Sequence, residues 1–126
     1  ALARGLGDLY KTQLLYDLKK LQIEAVLVSR NPAEDQLFYD QLDEQLMQDH
    51  KLIINCTPLG TFPNVADYPP IPVDNITSKH LVFDLIYNPP VTKLMELSRI
   101  NGATVVNGQQ MLEFQAEKAW EIWSQK

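Results

Sequence analysis

The sequence holds a single cysteine, Cys56, which excludes an internal disulfide and fits a reducing compartment. No apolar run approaches the length of a membrane helix, about 20 residues. Residues 1–8 do not pair a charged stretch with an apolar one, as a secretory leader would. The expectation is a cytoplasmic protein with no membrane association. Positive charge is scarce too: 11 Lys and Arg against 16 Asp and Glu leave a formal net charge of −5. Without a basic stripe to neutralise phosphates, nucleic acid is not expected as a partner. A single phosphorylated cofactor remains open, because it needs only one local basic group and oriented backbone N–H donors. Repeats, low-complexity tracts and linkers are absent.

What is present is an ordinary globular composition, 45% hydrophobic over 126 residues, enough to bury a core without staples. The expectation is one domain over residues 1–126. The Pro-rich stretch 63–72 reads as a long surface loop within it, because the apolar segments on either side need each other's faces.

Residues 9–22 predict a helix, with Leu14, Leu18 and Leu21 on one face and Lys11, Asp17, Lys19 and Lys20 off it. Residues 25–29 form a short continuous apolar run, as a parallel strand covered on both faces requires. Residues 37–39 read as a brief strand and 42–49 as a short helix. Strands follow at 51–55, 80–86 and 103–106, with a helix at 92–100 and a last one at 109–123. Strands alternating with helices at this spacing imply βαβ units and right-handed crossovers. The predicted fold is an α/β, doubly wound parallel sheet. Ligands in such sheets bind at the carboxyl ends of the strands.

Those ends hold Gly5-Leu6-Gly7, Ser29-Arg30-Asn31, Asn55-Cys56-Thr57-Pro58-Leu59-Gly60, Asp84-Leu85-Ile86-Tyr87-Asn88-Pro89 and Asn107-Gly108-Gln109-Gln110-Met111. Each alone is also good turn chemistry. Arg30 lies roughly twenty residues beyond the Gly5-x-Gly7 turn, where a dinucleotide fold places its ribose-reading residue. An acid there would serve NAD, whereas a guanidinium fork suits the 2′-phosphate of NADP. Spacing alone equally allows a solvated arginine. Gln115 lies within the last helix near its apolar side, which suits a polyol ligand or an amide bonded to water or a loop. His50 and His80 have no carboxylate or cysteine at metal-ligand spacing, so no metal is expected. Cys56, Trp120 and Trp123 read as packing residues.

The motif from Asn55 to Gly60, the motif from Asp84 to Pro89, and Asn107-Gly108 leading to Met111-Leu112 and Gln115-Ala116 resemble, in order and spacing, the shikimate dehydrogenase family. The resemblance runs from about Ile23 to Trp123. It implies the C-terminal, Rossmann-like NADP-binding domain of a two-domain oxidoreductase. Such an enzyme reduces 3-dehydroshikimate to shikimate with NADPH in aromatic amino acid biosynthesis. The other domain, N-terminal in the family, holds most substrate contacts and the catalytic Lys/Asp pair. The resemblance therefore implies no catalytic residue in this chain, and inactivity without that partner domain. Gly5 and Gly7 correspond to the glycine-rich turn. Ser29, Arg30 and Asn31 would hold the adenosine 2′-phosphate end, and Asn55 and Thr57 would line the cofactor's path. Leu85, Gly108 and Met111 would lie near the nicotinamide, while Tyr87 and Gln115 would reach towards shikimate or 3-dehydroshikimate.

Residues 1–22 depart from the family pattern. The glycine-rich turn continues Asp8-Leu9-Tyr10, which brings a negative charge to the pyrophosphate's place and could cap the helix instead. Arg4 is foreign to a central strand, so 1–22 also reads as one helix with the first strand missing. These departures keep open an alternative of another class: a non-catalytic, truncated α/β domain that exposes an apolar face and forms a homo-oligomer. A different NADP-dependent enzyme on the same domain is opposed by Gln115 and the spacing of the late motifs.

Overall fold

In a computed structural model of the protein, residues 2, 3, 15, 16, 18–32, 34 and 36–108 are described. Five parallel strands form one sheet: β1 (Leu2–Ala3), β2 (Leu27–Val28), β3 (Leu52–Asn55), β4 (Leu81–Asp84) and β5 (Thr104–Val106). Their order is β2-β1-β3-β4-β5. The first strand is therefore present, pairing with β2 on one side and β3 on the other. The reading of 1–22 as a single helix is excluded by that pairing.

Leu37 adds a single parallel bridge to Val28 on the outer side of β2. Counted as a rudimentary strand, it turns the order into the doubly wound dinucleotide pattern, in which the sheet runs outward in both directions from the first strand. Residues 37–39 were expected to extend further as a strand. Instead the Gln41 side chain accepts from the Phe38 N–H at 2.8 Å, and Tyr39–Gln41 turns as a 3-10 helix. Leu37 gives both its N–H and its C=O to β2, and the turn takes Tyr39, the next residue that would face β2, out of the ladder.

Residues 15, 16 and 18–20 are helical, and this helix closes through Gln22, which takes a positive φ of 60°. The helix α1 (Glu44–Asp49) starts at Asp43, whose carboxylate accepts from Leu46 N–H at 2.8 Å. The helix α2 (Lys93–Ile100) starts at Thr92, whose hydroxyl accepts from Met95 N–H at 3.2 Å. Both caps satisfy donors that a helix start leaves without intrahelical partners. The predicted helix 109–123 lies outside the described residues.

Alternation along the strands sends side chains to two cores, one per face. Met47, Ile53, Ile76, Val82, Leu94 and Ala103 cluster on one face. Leu18, Ile54 and Cys56 cluster on the other, with Leu15, Leu27, Leu52, Phe83 and Leu85 packed against them. A sheet covered on both faces explains the unbroken apolar runs. His80 is buried between α1 and the 3-10 turn Val73–Asn75: its Nδ1 accepts from Thr77 N–H at 2.9 Å, so Nε2 donates to the Met47 carbonyl at 2.7 Å. Among the described residues no group of His, Cys, Asp or Glu is arranged to hold a metal, and no helix is long and apolar enough to cross a membrane.

Candidate functional site

The site grows out of a register match. Parallel pairing of β3 and β4 sets Asn55 opposite Asp84 at the last position of each strand. Both side chains are fully buried, as are Thr57 and Thr92. Burying so many polar groups is costly unless each finds a partner, and here they find one another. The Asn55 amide donates to Asp84 Oδ1 at 3.1 Å, and its carbonyl oxygen accepts from Thr57 N–H at 2.9 Å and Thr57 Oγ1 at 2.6 Å. Thr57 Oγ1 in turn accepts from Leu59 N–H at 3.2 Å. Asp84 Oδ1 also accepts from Ile86 N–H at 3.2 Å, and Oδ2 accepts from Thr92 Oγ1 at 2.8 Å. One carboxylate therefore ties together the loop after β3, the loop after β4 and the start of α2.

Burial pushes the Asp84 carboxyl above its ordinary range; hydrogen bonds from Thr92, Ile86 and Asn55 pull the other way and only partly offset it. Asp84 and Thr92 were not singled out in the sequence as site residues. The signal available was an aspartate directly after the apolar run Leu81-Val82-Phe83, where a charge needs a buried partner.

Beside this network a cleft of about 370 Å³ opens, lined by Ser29, Arg30, Asn31, Tyr39, Thr57, Pro58 and Leu59. The loops after β2 and β3, on either side of β1, thus meet in one depression. That is the position at which ligands bind doubly wound sheets. Asn31 N–H donates to Ser29 Oγ at 3.2 Å, which shapes the first loop. Arg30 and Asn31 are exposed, while Ser29 is buried. Burial raises the Tyr39 hydroxyl above its ordinary value, although the nearby Arg30 charge pulls it down.

Further along the same edge, β4 and β5 end together. Gly108 N–H donates to the Ile86 carbonyl at 3.0 Å, and a Cβ built on Gly108 would fall on the Leu85 carbonyl. Only glycine permits that contact between loops. Asn107 braces the turn by donating to the Pro90 carbonyl at 2.8 Å. Tyr87 stands exposed beyond it.

The predicted residues accordingly fall into three sets. Ser29, Arg30, Asn31 and Thr57 share the cleft, with Asn55 buried beneath it as a tether. Leu85, Tyr87 and Gly108 gather at the ends of β4 and β5. Gly5, Gly7, Met111 and Gln115 lie outside the described residues, as does Asp8.

No family model matches the chain. Among curated proteins, the shikimate dehydrogenase (NADP(+)) of Clostridium botulinum is 36% identical over 118 residues, 87% of this chain and 45% of that protein. This chain belongs to the shikimate dehydrogenase family. It spans less than half the length of that shikimate dehydrogenase relative. A chorismate mutase/shikimate 5-dehydrogenase fusion protein from Clostridium acetobutylicum is also similar: the match has a TM-score of 0.67 at 30% identity, over 98% of this chain and 46% of the fusion. The Thermus thermophilus shikimate 5-dehydrogenase, solved with NADP(H) and shikimate, superposes with a TM-score of 0.76 at 20% identity, over 99% of this chain and 49% of that one. The Rossmann-like fold expected from the shikimate dehydrogenase resemblance is thus the fold observed.

Proposed function

We propose that this chain is the NADP-binding domain of a shikimate dehydrogenase, which reduces 3-dehydroshikimate to shikimate together with a separate substrate domain. The observation that carries this reading is the shared cleft: one guanidinium, Arg30, stands among small and polar neighbours after β2, facing the loop after β3. The residues fit the cofactor. Arg30, Ser29 and Asn31 would receive the adenosine phosphate end, with Thr57 beside them. The close approach of Gly108 to Leu85 joins the loops after β4 and β5, where the nicotinamide end would lie. Gly5 and Gly7 would take the pyrophosphate, and Met111 would complete the nicotinamide site. When bound, NADPH supplies the hydride, and this domain binds and orients it.

Tyr87 and Gln115 would approach shikimate from this side of the cleft. The acid–base pair belongs to the partner domain, so the isolated chain is inactive. Phe62, Tyr87 and Val91 are exposed apolar side chains in the loops at this edge. They suit docking of that domain, or self-association in its absence.

The test is thermal melting of the chain with NADP and with NAD. The expected result is a rise in melting temperature specific to NADP and abolished by Arg30→Ala. No shift at millimolar NADP would leave family ancestry without cofactor binding.

A further inference from the structure

Arg30 is the only lysine or arginine between Lys20 and Lys51, and Glu34, Asp35 and Asp40 follow it closely in the chain. A nucleotide 2′-phosphate carries close to two negative charges near neutral pH. Arg30 is the one cation among the described residues lining the cleft, a lean site for it that leaves room for neutral donors. Ser29 Oγ already accepts from Asn31 N–H.

Tyr39 is a further donor lining the cleft. It arrives from the outer side of β2, directly after the Leu37 bridge, whereas Thr57, Pro58 and Leu59 arrive from β3 on the inner side. Its ring is half-buried, and the Arg30 charge acts on its hydroxyl. A phenol is protonated, and hence a donor, in the neutral range, and burial moves it further that way. A phenol O–H bonded to an anionic oxygen is about twice as strong as one bonded to a neutral hydroxyl. A tyrosine in this place therefore favours a phosphorylated ribose over a free one.

We propose that Tyr39 is a specificity-determining residue for the nucleotide, its hydroxyl donating to the 2′-phosphate alongside the Arg30 fork. This rests on the reading of the cleft as the adenosine end of an NADP site.

The experiment is calorimetric titration of the full 126-residue chain and its Tyr39→Phe variant with 2′,5′-ADP, NADP and NAD. The expected result is a loss of roughly tenfold in 2′,5′-ADP and NADP affinity, with less than about a twofold change for NAD. Wild-type binding of 2′,5′-ADP that Tyr39→Phe leaves unchanged overturns the role of Tyr39 and spares the cofactor reading. So does an equal loss for NADP and NAD. A wild-type chain that binds none of the three overturns both. Should Tyr39→Phe fail to fold, ring-carbon NMR of Tyr39 in the wild-type chain decides the matter. A larger shift with 2′,5′-ADP than with 5′-AMP supports the role, and equal shifts overturn it.

Discussion

Asn55 and Asp84 end adjacent parallel strands and share a buried hydrogen bond of 3.1 Å, the amide donating to the carboxylate. Each of the two also holds a loop: Asn55 the one carrying Thr57, and Asp84 the one carrying Ile86. The edge of the sheet where the cofactor is proposed to lie is thus braced from below by groups that do not reach its surface.

Asp84 makes stability depend on pH with a definite sign. Its folded pKa lies above the unfolded value, so the native state holds the proton more tightly. This contribution is fully present below the unfolded pKa and is lost as pH rises through the folded pKa. Asp84→Asn is expected to flatten this part of the profile, while Asp84→Ala costs about 1–3 kcal/mol for each buried partner left unbonded. Urea melts between pH 4 and 7 check both; a wild type whose Asp84 component grows more stable towards pH 7 would contradict the assignment.

Asn55→Asp places a second carboxylate against the first. Two such groups cannot both ionise at that separation, so at least one is held protonated. The variant is expected to be markedly unstable at pH 7 and to recover on acidification, because the raised pKa stabilises the fold only while the proton is bound. A melting temperature that does not improve between pH 7 and 5 would count against it.

Thr92 carries two duties, capping α2 and donating to Asp84. Thr92→Val keeps the shape and removes both, with an expected loss of about 1–3 kcal/mol. Thr92→Ser retains the hydroxyl and should recover most of it. Equal stability of the two variants by chemical denaturation would show the hydroxyl to be dispensable.

Gly108→Ala drives a methyl group into the Leu85 carbonyl, which is backbone and cannot rotate away. The expected cost of such overpacking is about 1–3 kcal/mol. If the nicotinamide end lies here, NADP affinity should fall while 2′,5′-ADP affinity holds, and parallel titration of the two ligands reads the difference.

Much of the architecture was readable from runs of apolar residues. Residues 51–55 and 80–86 announced β3 and β4, because strands covered on both faces need no polar alternation. The truncation at Leu37 was not readable: Leu37-Phe38-Tyr39 has strand-favouring side chains, yet the chain turns at Tyr39–Gln41 after one bridge. Arg30 was singled out by family resemblance, since its spacing equally allowed a solvated arginine, and the structure sets it in a cleft with Ser29, Asn31 and Thr57. The Asp84 network was not legible, since Asn55 and Asp84 are 29 residues apart and meet only through strand register. Tyr39 escaped notice because the strand reading hid the turn that carries it.

The outermost contact of the sheet on the Leu37 side is a lone bridge, followed at once by a turn. A longer run of open N–H and C=O groups there would offer a template to any extended chain passing by, the first step of edge-to-edge aggregation. By curling away after one residue, the chain denies a foreign strand its foothold, and the bend that does so also carries Tyr39 to the nucleotide cleft.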